Sequence, residues 1–386
     1  MSAALDGIAV LDLATVGPAA RCTRILADYG ARVVKIGAPA KSGVNTEPPF
    51  FAYSGGRGTQ RMRLDLKQAD GVAVFLRLAA QADVIVESFR PGVVAKLGIG
   101  YADVRAVNAR IVYCSTSGYG QDGPRARWAG HDLNYLAVGG FLDCSGRRAD
   151  GGPPLPGATI ADGAAGGMHA AIAILAALLR RQRMGEGEYL DVSVADGVLS
   201  LMALAVDEHL ATGAAVGPGH DILTGRYACY DLYEARDGRW LAVAAIEPAF
   251  FANLCKALGL ERWIPYQTDD ARQAEIRADL RAAFRTRDRD AWVELLAGHD
   301  TCVAPVQSVS EVPSDPQFRA RGAFAFAEHA ERGRIRQLAP ALAGMPRSGE
   351  APALPAPGAT ETDALLSAAG YAQAEIERLR SRGAVA

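Results

Sequence analysis

The sequence carries almost no net charge: 41 basic residues stand against 43 acidic ones, leaving -2. No field therefore steers the whole molecule onto nucleic acid. Long apolar runs are also missing. The longest, Ala170 to Leu179 and Val198 to Val206, reach about half of the roughly 20 residues a bilayer helix requires, so no membrane span is expected. Met1 to Val10 lack a basic flank followed by an apolar stretch, so no secretory signal is read and a cytoplasmic location is expected. The six cysteines and six histidines are scattered. No cysteine pair has the spacing of a metal clamp or redox dithiol, and no histidine pair that of HExxH, so the cysteines read as buried thiols and no metal is expected. What is present is the composition of a globular protein. Hydrophobic residues make up 49% and charged residues 22% of 386, enough apolar content to exclude disorder. At about 150 residues per domain, two or three folding units are required.

In the first half, short apolar runs alternate with helical patterns. Ile8 to Leu13, Arg32 to Ile36, Val84 to Glu87 and Ile111 to Ser115 read as strands. Ala19 to Tyr29, Ala69 to Ala82 and Val104 to Ala109 read as the helices between them. This βαβαβ order predicts a doubly wound parallel sheet covered on both faces, Rossmann-like in plan. The turn after the first strand is Ala14-Thr15-Val16-Gly17-Pro18 and has no GxGxxG. Its phosphate cradle is missing, which disfavours NAD. After the Gly/Pro punctuation at Gly151 to Pro156 come an Ala-rich helix from about Ala164 to Arg183 and a strand over Glu186 to Val194. These patterns give a large α/β domain over 1–198 and a linker helix over 199–222. A smaller α+β domain over 223–325 opens with a hairpin around Arg236-Asp237-Gly238. Residues 326–386 form a linker and a final helix, Thr360 to Leu379, that returns to the large domain.

Three ionisable residues stand at structural transitions. His131, in Gly130-His131-Asp132-Leu133-Asn134-Tyr135, opens a helix where free backbone N–H groups would face a developing oxyanion. Asp162 precedes Gly163-Ala164-Ala165-Gly166-Gly167, small residues that would let a substrate approach the backbone. A helix start lowers a carboxylate's pKa, so Asp162 donates a proton only if burial opposes that field. Glu247 lies between a strand end and Pro248, where a helix begins. Alone, each of the three reads first as a helix-start or partly buried structural residue.

Their contexts are more telling together. Leu5-Asp6-Gly7-Ile8, Asp28-Tyr29-Gly30-Ala31-Arg32-Val33-Val34-Lys35-Ile36, Leu64-Asp65-Leu66-Lys67 and Glu87-Ser88-Phe89-Arg90-Pro91-Gly92 occur in that order. They are followed by Ser117-Gly118-Tyr119-Gly120-Gln121-Asp122-Gly123-Pro124, Gly130-His131-Asp132 and Gly187-Glu188-Tyr189-Leu190-Asp191-Val192-Ser193. Over nearly the whole chain this resembles the family-III CoA-transferase superfamily, and within it the α-methylacyl-CoA racemases.

The resemblance implies 1,1-proton transfer on a 2-methylacyl-CoA thioester through an enolate. His131 and Asp162 would be the paired acid and base, the Asp132 amide the oxyanion donor, and Glu247 the residue that orients the imidazole. It implies CoA contacts at Arg57, Leu64, Asp65, Leu66, Lys67, Ser88, Phe89, Arg90, Lys96 and the run Gly130, Leu133, Asn134 and Tyr135. It also implies an interlocked homodimer in which Glu247 serves the partner's imidazole. CoA is then part of the substrate and no cofactor is needed. Ala38 and Thr59-Gln60 depart from the basic residues common in the family, which predicts weaker phosphate pairing unless other cations compensate. Two other readings remain: CoA transfer between acids with Asp162 as the acyl-carrying nucleophile, and an inactive CoA-ester-binding paralogue.

Overall fold

The computed structural model describes residues 3–39, 49–340, 344, 349–356 and 358–386. They form two compact units, one of residues 1–139, 156–203 and 316–386, the other of 140–155 and 204–315. The unit edges differ from the sequence segmentation: residues 140–155 belong with the second unit, and the chain leaves the first unit after Ala203.

In chain order the elements are β1 (Ala9–Asp12), α1 (Gly17–Asp28), β2 (Arg32–Gly37), β3 (Thr59–Arg63), α2 (Ala69–Ala79), β4 (Val84–Glu87), α3 (Val93–Lys96), α4 (Tyr101–Val107), β5 (Val112–Ser117), α5 (Asp132–Val138) and α6 (Phe141–Cys144). A π-helix, Ala161–Met168, runs directly into α7 (His169–Met184). β6 (Glu188–Ser193), α8 (Val194–Leu201) and α9 (Ala203–Thr212) follow. Then come β7 (Tyr230–Glu234), β8 (Trp240–Ala244), α10 (Pro248–Leu258), α11 (Gln273–Phe284), α12 (Arg289–Leu296) and β9 (Val303–Pro305). The chain ends with α13 (Pro316–Ala320), β10 (Phe324–His329), β11 (Gly333–Leu338), α14 (Thr362–Ala368) and α15 (Gln373–Ser381).

The first unit is built on a six-stranded parallel sheet of order β3-β2-β1-β4-β5-β6. Strand alternation sorts its side chains into two cores. Leu11, Val34, Ile85 and Tyr113 face one layer, where Phe75 of α2, Leu366 of α14 and Ile376 of α15 pack. Val10, Val33, Val84 and Val112 face the other, where Cys22 and Leu26 of α1 and Ile174 of α7 pack. Both faces are buried, which is why these strands read as continuous apolar runs. Between β1 and β4 the direction of winding reverses, and a crevice opens at the carboxyl ends of those strands.

Three elements escape the sequence reading. The edge strand β3, Thr-Gln-Arg-Met-Arg, has one buried apolar residue, Met62. The hairpin β10–β11 buries only alanines and a histidine on one face (Ala325, Ala327, His329), with Phe326 and the arginines of β11 turned outward, so it has no run of large apolar residues. The single helix read over Thr360 to Leu379 is two, broken at Gly370, whose φ of 82° is the left-handed conformation glycine tolerates.

The helix Ala161–Met184 is long and apolar enough, by length and composition, to cross a membrane. Counting uninterrupted apolar runs misses it because its first turns are Ala and Gly. Ala170, Ala171, Ile174, Ala177 and Leu178 are buried in the core beside the sheet, while Met168, Ile172, Leu179 and Met184 are exposed. The second unit packs α10, α11 and α12 on an antiparallel three-stranded sheet of order β7-β8-β9. Its core centres on Tyr233, Leu241, Phe251, Leu280 and Trp292.

Candidate active site

The crevice of the first unit holds a cavity of 440 Å³ lined from several chain segments: Gly17 and Pro18 after β1, Ser88 to Pro91 after β4, Thr116 to Gly118 at the end of β5, the start of α5, and Asp162. This volume is in the range of small-molecule sites, about 300 to 1,000 Å³. Each wall has a local cause. Glu87 ends β4 fully buried, and its carboxylate accepts the Phe89 amide at 2.7 Å, turning Ser88-Phe89-Arg90 into the cavity. Burial pushes the Glu87 carboxyl above its usual range, with hydrogen bonds from Ser115 and Phe89 opposing.

The loop from β5 to α5 closes over the ring of Tyr135. A Cβ on Gly118 or Gly130 would lie 2.4 or 2.7 Å from that ring, so only glycine fits at either place. The Tyr135 hydroxyl donates to the Gly130 carbonyl at 2.6 Å. Its own pKa is pushed up to about 12, by burial first and then by Asp162. His131 caps α5: the Asn134 side chain accepts its amide at 3.0 Å, and the Asn134 amide returns to the His131 carbonyl at 2.8 Å. The imidazole is left exposed beside the cavity.

Asp162 stands in the first turn of the π-helix, half-buried. Its amide donates to the Asp132 carboxylate at 2.8 Å. Asp132 thus ties the segment bearing the carboxylate to the segment bearing the imidazole, a function of its side chain that the sequence does not disclose. Burial, followed by the nearby charge of Asp132, raises the Asp162 pKa, with Arg21 and His131 opposing. Burial is thus the first cause acting on this carboxyl, in the direction opposite to a helix-start field. The small residues after Asp162 serve packing more than substrate approach. A Cβ on Gly166 would meet Pro18 at 2.5 Å, and one on Gly167 would meet the Arg21 side chain at 2.8 Å. Only at Gly163 would a Cβ fit without strain, with the Arg21 guanidinium 4.0 Å away.

Of the residues nominated from sequence, Ser88, Phe89, Arg90, Gly130, His131, Asn134, Tyr135 and Asp162 line this one cavity. Others lie elsewhere. Leu64 is buried in the core and Leu66 packs against it, so neither side chain is offered to a ligand. The Asp65 carboxylate accepts the Lys67 amide and the Gln68 side chain, fixing the entry to α2. Lys67, Lys96 and Leu133 are exposed outside the cavity lining. Glu247 belongs to the second unit, exposed at the start of α10.

Arg57 is a correction. It is 2% exposed, paired with Asp28 at 2.9 Å, and donates to the Leu338 carbonyl at 2.6 Å. The guanidinium joins α1 to β11 and is taken from any phosphate. Arg57→Leu should therefore lower stability by about 3 kcal/mol, the lower end for breaking one side of a buried pair because Arg24 also holds Asp28. The KM for a CoA thioester should stay unchanged. Thermal melts and steady-state kinetics check this, and a raised KM at unaltered Tm reverses the assignment.

At the departures from basic residues, Thr59 is buried with its hydroxyl on the Gly56 carbonyl at 2.5 Å. Arg63, the register partner of Gly37, brings a guanidinium nitrogen to the Ala38 carbonyl at 3.3 Å, so a cation still stands at the end of β2. Sequence reasoning passed over Gly17, Pro18, Trp128 and Ser117 as lining residues. Ser117 has a buried hydroxyl without a protein partner; its place at a strand end inside a quoted motif was the available signal.

The human protein "Alpha-methylacyl-CoA racemase" is 34% identical over 379 residues, covering 98% of this chain and 96% of its own. "Acetyl-CoA:oxalate CoA-transferase" of Acetobacter aceti is 31% identical, covering 82% of this chain and 84% of its own. The crystal structure of a CAIB/BAIF family protein from Brucella suis superposes with a TM-score of 0.74 at 29% identity, covering 92% of this chain and 95% of that one. The family model for CoA-transferase family III matches residues 5–361, and the chain belongs to that family.

Proposed function

We propose that the protein is a racemase of 2-methylacyl-CoA thioesters. The observation that carries this is the presence of an imidazole, His131, and a carboxylate of raised proton affinity, Asp162, on the lining of one cavity. Inversion at the carbon beside a thioester needs two such groups, one to remove the proton and one to return it to the other face. Deprotonation puts negative charge on the thioester oxygen. The Asp132 amide, among the first-turn donors that α5 leaves unbonded, is assigned to hold it. The Asp132 carboxylate meanwhile keeps the two segments in register. In this reading Glu247 orients the imidazole of a second copy within an interlocked homodimer, and CoA enters as part of the substrate with no further cofactor. The similarity to racemases along almost the full length supports the assignment.

The test is deuterium exchange. Incubated with a 2-methylacyl-CoA in D2O and no acceptor acid, the enzyme is expected to place deuterium at the α-carbon with the thioester intact, read by mass spectrometry. No exchange, together with an acyl adduct on Asp162 and transfer once an acid is added, would mark a CoA-transferase instead. Binding of the thioester without either reaction would mark an inactive paralogue.

A further inference from the structure

The π-helix turn that carries Asp162 is held against α1, and one side chain of α1 reaches across it. A Cβ on Gly166 would meet Pro18 and one on Gly167 would meet Arg21, so the two helices touch with nothing between them. From that contact the Arg21 side chain runs back along the π-helix. Its guanidinium donates to the Thr159 hydroxyl, and a terminal nitrogen lies 4.0 Å from where a Cβ on Gly163 would stand. Thr159 precedes Asp162 by three residues and Gly163 follows it directly. A fixed cation therefore lies over the turn that bears the carboxylate.

Its charge is not spent elsewhere. Arg24, the next cation on α1, is paired with Asp28 at 2.7 Å, whereas Arg21 makes no ion pair among the described residues and has the Tyr53 ring centre 5.4 Å away. The groups facing Asp162 are Asp132, His131 and Tyr135 from the start of α5 and Arg21 from α1; α8 meets the π-helix through Val194 and Gly197, and α7 continues it. Burial and Asp132 raise the proton affinity of Asp162, and Arg21 and His131 oppose them. Of these two cations only the arginine keeps its charge at every working pH. A carboxyl that never releases its proton serves only as an acid, and inversion in both directions needs it as a base as well.

We propose that Arg21 is a positioning residue for proton transfer: anchored on Thr159, it holds Asp162 ready to take the α-proton and so sets the balance between the two enantiomers. This rests on the reading of Asp162 as an acid and base of a racemase. In the step that Arg21 serves, the carbon–hydrogen bond breaks, its electron pair passes to the enolate and the proton to an Asp162 oxygen. Arg21 itself exchanges no proton.

Two measurements test this on Arg21→Gln, which removes the charge, and Arg21→Lys, which keeps it. In D2O each enantiomer is followed alone from about pH 4 to about pH 8. The enantiomer whose exchange Asp162→Asn reduces more should lose about tenfold on its acid limb in Arg21→Gln, the lower end for removal of one nearby opposite charge, while the other changes little. Arg21→Lys should restore the wild-type profile. Thermal melts give a reading that needs no turnover. Asp162→Asn is made in the wild type and in Arg21→Gln; with its cation gone the ionised carboxylate burdens the fold more, so at neutral pH asparagine should gain more in Tm in the Arg21→Gln background. An equal gain in both backgrounds with wild-type exchange intact overturns the role of Arg21 alone, as does equal slowing of both enantiomers. No exchange of either enantiomer by the wild type removes the racemase reading and this one with it. Should Arg21→Gln fail to fold, Thr159→Val, at an exposed position, frees the guanidinium from its anchor and should move the acid limb the same way. An unmoved limb then overturns the proposal.

Discussion

His131→Ala and Asp162→Asn should each reduce α-hydrogen exchange by about 100- to 10,000-fold, the range for one positioned acid or base. Both groups are local: His131 is exposed at a helix start, and the Asp162 contact to Asp132 runs through its backbone amide, which asparagine retains. The fold should therefore survive, and Asp162→Asn carries a stability signature of its own. Burial and Asp132 raise the folded pKa of Asp162 above its unfolded value. The stabilising contribution is then present in full below the unfolded value, near pH 4, and is lost as pH rises through the folded one. At neutral pH the ionised carboxylate is a burden on the fold that asparagine does not impose. The variant should melt above the wild type at pH 7, with the gap closing as pH falls toward 4. A variant that melts lower at neutral pH, or keeps full exchange, would remove Asp162 from the proposed role. If His131→Ala loses exchange but retains acyl transfer, the site belongs to a transferase.

Gly197→Ala should lower stability by about 3 kcal/mol and take activity with it. On propensity alone the change in a helix such as α8 would gain about 1 kcal/mol, so the sign is informative. An added Cβ would lie 2.0 Å from the Ala165 carbonyl oxygen and 2.9 Å from the Ala165 Cα. Backbone on both sides leaves nothing flexible to yield, which places the cost at the upper end for overpacking, about 3 kcal/mol. Ala165 is three residues beyond Asp162 on the π-helix, so relief of the clash moves the carboxylate. Thermal melts of the variant and its residual exchange rate report both effects. A more stable protein would show that α8 and the π-helix do not meet as closely as described.

Much of the sheet was legible because its central strands are buried on both faces and stand out as apolar runs, as Val84 to Glu87 does. β3 and the hairpin β10–β11 were not, since an edge or a side hairpin needs few apolar residues, and Thr59–Arg63 has one that is buried. Of the candidate site, His131, Asp162 and the Ser88-Phe89-Arg90 turn, all nominated from sequence, line one cavity. Arg57 was misplaced because an arginine beside a CoA-associated motif looks like a phosphate ligand until Asp28, from the end of α1, is seen to hold it. The side-chain role of Asp132 was hidden for the same reason: its partner is an amide thirty residues on. Pairings over such separations are fixed by how the chain winds, which local pattern does not encode.

The strand order also bears on how the family diversifies. After β1 the chain passes to one side of the sheet and after β4 to the other, so the gap between their ends exists whatever residues later furnish it. The chemistry is hung on turns beyond the strand ends, while the interior that sustains the fold lies among the strands themselves. Inheritance can exchange one set of reactive groups for another without disturbing that interior. A lineage holding both stereochemical inverters and acyl carriers is what such a division of labour permits.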